Sequence, residues 1–152
     1  MFSTKRLIYL IAMIIVIAAC SKNNDKPKSK TELLTSGTWK LKAATFHGDS
    51  DGNGSIEDVD LFSIIPDCAK DDVTTYYPDG DALNEEGPTR CDPTIPETYE
   101  FNWEFKENET KLNTGGKDFI ILELTSTTLK YIIPDPYGTG FNEYKATVTY
   151  SH

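Results

Sequence analysis

Histidine is scarce in this chain, with His47 and His152 the only two among 152 residues, and methionine and tryptophan occur twice each. So little imidazole argues against a histidine-built metal centre, and no histidine stands near Cys68 or Cys91 to complete a zinc set. Both rings read as solvated or packed side chains rather than catalytic bases. The sequence also lacks Gly-x-Ser-x-Gly, His-Glu-x-x-His and any phosphate-binding glycine loop, which removes the common nucleophile, metal-water and nucleotide signatures. The pairs Asp71-Asp72, Asp79/Asp81 and Glu85-Glu86 sit among turn formers and read as solvated carboxylates. The expectation is a protein that binds or supports, not an enzyme.

Positive charge is the second shortage. Fifteen Lys and Arg face 24 Asp and Glu, a net charge of −9. Such a surface repels nucleic acid and anionic head groups and attracts cations. Nucleic acid is therefore excluded as a partner.

Long apolar runs are the third. The one present, "LIYLIAMIIVIAAC", follows Lys5 and Arg6 and falls short of the roughly 20 residues of a membrane helix. Residues 1–19 read as a signal peptide. Residues 20–30, "CSKNNDKPKSK", have no large side chain to bury and read as a flexible tether. Residues 31–152 are one domain's worth of chain, expected as a monomer. Removing 1–19 takes two of the basic residues and none of the acidic ones, so the mature part is more acidic still.

The end of the apolar run, Ile17-Ala18-Ala19-Cys20, resembles the lipobox of bacterial lipoproteins. That resemblance implies lipidation of Cys20, which becomes the new N-terminus. The protein is then expected on the bacterial outer membrane, lipid-anchored and facing the periplasm or the cell surface. Its first partner is the membrane, through that lipid. In an exported chain disulfides persist, and with Cys20 committed to lipid, Cys68 and Cys91 permit one intramolecular pairing. Closing such a loop is worth about 3 kcal/mol in the chain-entropy model. Two free thiols or a two-cysteine metal site are the competing readings.

Beyond the tether, "TELLTSG" predicts a short helical turn capped by Thr31 and ended by Gly37. "TWKLKAATF" alternates with period two, placing Trp39, Leu41 and Ala43 on one face. "LFSII" predicts a helical turn after this first strand, capped by Asp58 or Asp60 and closed by Pro66. Then "VTTYY", "ALNEEG", "ETYEFNWEFKE", "TKLN", "DFIILELT", "TLKYII" and "EYKATVTY" follow, separated by turn residues such as Pro78-Asp79-Gly80-Asp81. The clearest alternation sets Tyr99, Phe101, Trp103 and Phe105 against polar neighbours. Eight short strands with hairpin-like links predict an all-β, antiparallel sandwich or up-and-down barrel.

Gly37-Thr38-Trp39, "LFSIIPDCAKDD", "RCDP" and "FNWEF" together resemble the lipocalin-like domains of bacterial lipoproteins. The resemblance implies an eight-stranded, lipocalin-like barrel with a short N-terminal helical turn and a short helix after the first strand. Trp39 would then pack across a closed base. Lipocalins also place an arginine near the last strand over that tryptophan, a segment where this chain offers Lys145. A small apolar ligand would lie at the open end, and Trp39, Tyr99, Phe101, Trp103 and Phe105 are the candidate pocket side chains.

One loop has its own chemistry. "DSDGNGSIEDVD" places Asp49, Asp51, Asn53, Ser55, Glu57 and Asp60 at the ligand positions of a calcium loop, with Gly54 at the sharp turn. Calcium is thus the one cofactor the sequence suggests. The same residues are turn formers whether or not an ion is present, and both readings stand. The sequence therefore points to a lipid-anchored binding protein of the envelope. The alternative is a structural or interaction lipoprotein with a filled barrel and a calcium-stiffened loop.

Overall fold

A computed structural model describes residues 26–138, 140 and 143–152. The signal peptide, Cys20 and the first part of the tether lie outside the described residues. No described helix is long and apolar enough to cross a membrane.

Helix α1, Lys30–Leu34, starts earlier than expected. Its cap is Ser29 rather than Thr31, because Ser29 and Glu32 satisfy each other's backbone amides as a capping box. Ser29 and Lys30 therefore belong to the folded part rather than to the tether. Nine strands follow: β1 Thr38–Gly48, β2 Glu57–Asp60, β3 Val73–Tyr76, β4 Asp81–Glu85, β5 Thr98–Lys106, β6 Lys111–Thr114, β7 Lys117–Leu124, β8 Thr128–Pro134 and β9 Lys145–Ser151. Helix α2, Asp67–Lys70, begins after Pro66 instead of ending there. The residues before it, Leu61–Ile65, make a hydrogen-bonded turn, and the Asp60 carboxylate accepts the Ser63 amide, one of the two caps expected.

All pairings are antiparallel. The eight expected strands, β1 and β3–β9, are hydrogen-bonded in a ring that closes through β1 and β9. The ninth strand, β2, was not expected. It falls inside the acidic stretch and pairs with the far half of β1, Thr45–Gly48, beyond the part that β3 occupies. A closed ring leaves no long sheet edge, and the edge that β2 does expose is short and carries Glu57, Asp58 and Asp60, which blunts pairing with another chain.

The core inside the ring is apolar, and among the described residues no polar or charged residue is buried. Leu34, Trp39, Ala44, Tyr76, Trp103, Leu112, Leu129, Tyr131 and Val148 form one connected core. In β1 the alternation changes phase: a bulge in the pairing with β9 lies between Leu41 and Ala43. The extra residue turns Ala44 and Phe46 inward and leaves Ala43 exposed, opposite to the strict period-two expectation. β7 has a similar shift between Ile121 and Glu123.

Candidate functional site

The two ends of the ring differ. At the base lie the short turns β3–β4, β5–β6 and β7–β8, the start of β1 and the end of β9. Here α1 supplies Leu34, and its carbonyl accepts the Trp39 indole N–H at 2.7 Å. Both side chains are fully buried. The His152 ring packs on Trp39 with centroids 4.0 Å apart. It also bonds the Thr38 carbonyl through Nδ1 at 2.8 Å. It takes the place expected of a basic residue in this segment, whereas Lys145 lies at the other end of β9. A Cβ on Gly37 would sit 2.9 Å from this imidazole, so the Gly-Thr-Trp glycine makes room for the ring.

The rim gathers the long connections: 49–56, 61–72, 86–97 and 135–144. Its hairpin tip holds the candidate calcium residues. Asp49 accepts the amides of Gly52, Asn53 and Gly54, Asp51 accepts from Asn53, and the Asn53 side-chain Oδ1 accepts the Ser55 amide. These bonds, led by that from Gly54, hold the Asp49 carboxyl below its usual range. Glu57 accepts from the Ser50 hydroxyl, and Asp58 pairs with His47 at 2.7 Å. Glu57 and Asp60 are three apart on β2, so their side chains leave opposite faces of the strand. Among the described residues no group of three or more His, Cys, Asp or Glu is placed to hold a metal ion. The geometry is that of a turn organised by its own carboxylates.

The second rim feature is covalent. Cys68 and Cys91 are joined, which ties segment 61–72 to segment 86–97. Gly87 lies so close to Asp71 that a Cβ there would meet its Cγ at 2.4 Å. The Asp71 carboxylate accepts the Thr89 amide, and Asp72 accepts the Gly87 amide. Arg90 bonds Glu86, Glu97 and the Ile95 carbonyl. The Cys-Ala-Lys-Asp-Asp and Arg-Cys segments thus form one clasp.

The five candidate pocket aromatics separate. Trp39 seals the base. Trp103 is buried and donates its indole N–H to the Tyr77 carbonyl at 2.9 Å. Phe101 and Phe105 pack on the core beside it. Tyr99, at the rim end of β5, is 66% exposed and stacks only on Phe101. The interior stack is instead Phe119 on Tyr131 at 4.9 Å and Tyr131 on Tyr150 at 5.8 Å. Burial raises the phenols of Tyr76, Tyr131 and Tyr150 above the usual range, so they remain neutral donors.

Two clefts open on the described surface. One, of about 450 Å³, lies along the β3–β4 turn and the β4–β5 pair, bordered by Tyr77, Asp79, Asp81, Leu83, Glu100 and Phe101. The other, of about 530 Å³, is at the rim between the start of β7 and the end of β8, bordered by Lys117, Phe119, Ile133, Pro134, Pro136 and Tyr137. Phe119 and Ile133 also pack against the core, so this cleft leads to the inner face. These residues were not singled out from sequence. The signal was present in "KDFIILEL", where Lys117, Phe119 and Ile121 alternate on one face, but nothing local tells a strand's rim end from its base end.

No protein-family model matches the sequence, and no curated protein matches it. Among solved structures, one similar chain is a crystal structure of a DUF4847 family protein from Bacteroides vulgatus, at 12% identity and a TM-score of 0.52. The match covers 82% of this chain and 97% of that one, so the likeness extends over nearly the whole of the other protein and is a likeness of fold.

Proposed function

We propose that the ring is a lipocalin-like barrel serving as a lipid-anchored binding protein of the bacterial envelope, with a small apolar ligand held at its rim. The observation that carries this reading is the asymmetry of the ends. The base is sealed by Leu34, Trp39 and His152, while the rim has a cleft of about 530 Å³ walled by Phe119, Ile133 and Tyr137. Clefts of this volume suit small molecules. The described chain enters at the base through Ser29 and α1, so a tether from Cys20 would direct the rim away from the membrane.

Native mass spectrometry of residues 26–152 tests the reading; every strand and helix of the ring lies within this part. The expected result is a folded monomer that retains an extractable apolar molecule or binds an environment-sensitive apolar dye. Substituting Ile133→Asp is expected to abolish the dye signal while the near-ultraviolet circular dichroism of the fold persists. A folded protein that neither retains a molecule nor binds dye would leave the filled, structural role as the better account.

A further inference from the structure

The rim cleft combines apolar side chains with one basic group and two carboxylates, Asp118 and Asp135. Lys117, Phe119 and Ile121 occupy alternate positions of β7 ahead of its bulge, so they share the ring's inner face. Lys117 is the outermost of the three and stands at the lip. The two carboxylates that border the cleft are already engaged. Asp118 alternates to the outer face, where it accepts from Lys106 at 3.2 Å and from Asn113, and Asp135 accepts the Gly140 amide at 2.6 Å. Lys106 and Lys111, on the neighbouring strands, are paired with Asp118 and Glu107. Among the described residues Lys117 has no ion pair and no hydrogen bond. In a chain of net charge −9, an uncommitted ammonium above an apolar wall is a specific feature.

We propose that the cleft takes a small amphiphile with an anionic head, the head at Lys117 and the apolar tail along Phe119 and Ile133. The inference rests on the carrier reading above and adds the head-group class. Phe119 lies face to face with Tyr131, so the tail meets a flat aromatic wall below the lip. Pro134 and Pro136 stiffen the opposite side, which limits the conformational freedom lost on binding.

The test uses residues 26–152 and a pair of eight-carbon probes, octanoate and octanol, each titrated at low ionic strength. A solvent-exposed charge pair is worth at most about 1 kcal/mol, so octanoate is expected to bind about three- to five-fold more tightly than octanol. Lys117→Gln should equalise the two, and Lys117→Glu should reverse the preference, with octanol affinity unchanged in both. Added salt should narrow the gap in the unmodified protein. Equal affinities that ignore both substitutions would overturn the head-group inference and leave the apolar site intact. Failure of both probes to bind, with the fold intact, would instead remove the carrier reading.

Discussion

The base and the rim of the ring are stabilised by different means. At the base, short turns bring strands together, and fully buried side chains (Leu34, Trp39, Leu112, Leu129) do the holding. At the rim, the two-residue β6–β7 turn apart, the connections are long, and Ile56, Ile64, Ile95, Tyr99 and Tyr137 are substantially exposed. There a disulfide, a guanidinium clasp and carboxylate-organised turns take over from packing. The lesson concerns where variation is tolerated: a packed end depends on volume and shape, whereas a cross-linked end keeps its geometry with little core beneath it.

The base is the place to break the comparison most severely. Trp39→Ala removes the side chain that links α1, β1 and His152, and a loss of about 3–5 kcal/mol is expected from the transfer and cavity terms together. Urea unfolding should show the midpoint falling sharply with the slope preserved. Opening the rim should cost less. Replacing Cys68 and Cys91 together by serine releases a closed loop worth about 3 kcal/mol at most. Hydrogen exchange should report faster opening in 61–72 and 86–97 while the core strands β8 and β9 keep their protection. Equal loosening across the whole ring would mean that the clasp supports the core as well as the rim.

A smaller effect sharpens the contrast within one strand. Tyr99→Ala lies at the exposed end of the same aromatic row as Trp103 and should change stability by no more than about 0.5 kcal/mol, measured by thermal unfolding. The least effect belongs to the hairpin tip. Because the Asp49 carboxyl titrates below its ordinary 3.8 in the folded state, its contribution is present above that value and fades as pH falls through the lower, folded one. The Gly54 amide resonance should follow this titration, and Asp49→Ala should abolish it. Millimolar calcium is expected to leave that resonance in place, since Glu57 and Asp60 face opposite ways. An Asp49-dependent calcium shift would show the tip gathering its carboxylates around an ion.

The ring strands were legible because each carries its own evidence: period-two alternation bounded by Gly, Pro, Asp or Asn. β9 follows its pattern throughout and β5 does so from Phe101 onward, and with Cys20 expected to carry lipid, Cys68 and Cys91 had one intramolecular pairing open to them. β2 was hidden for the opposite reason. "EDVD" has one apolar residue, and only its pairing with Thr45–Gly48 makes it a strand. The calcium pattern falls in the same stretch: its first half coils around the Asp49 carboxylate, and its second half is extended as β2. The places of the candidate pocket aromatics were illegible for a related reason: Trp39, Trp103 and Tyr99 look alike as alternating aromatics, yet one lies at the base, one in the core and one at the rim.

The sequence by itself determined the class of structure, an antiparallel all-β fold with an apolar inside, because side-chain periodicity is a local property that each strand expresses alone; closure into a ring came with the β1–β9 pairing. It also pointed to a Cys68–Cys91 pairing, which the structure joins. The tertiary structure decided which end is closed, where His152 comes to rest on Trp39, and that Lys117, Phe119 and Ile133 border one cleft. Those depend on register and on distant segments meeting, and no stretch of chain carries information about a neighbour it has not yet met.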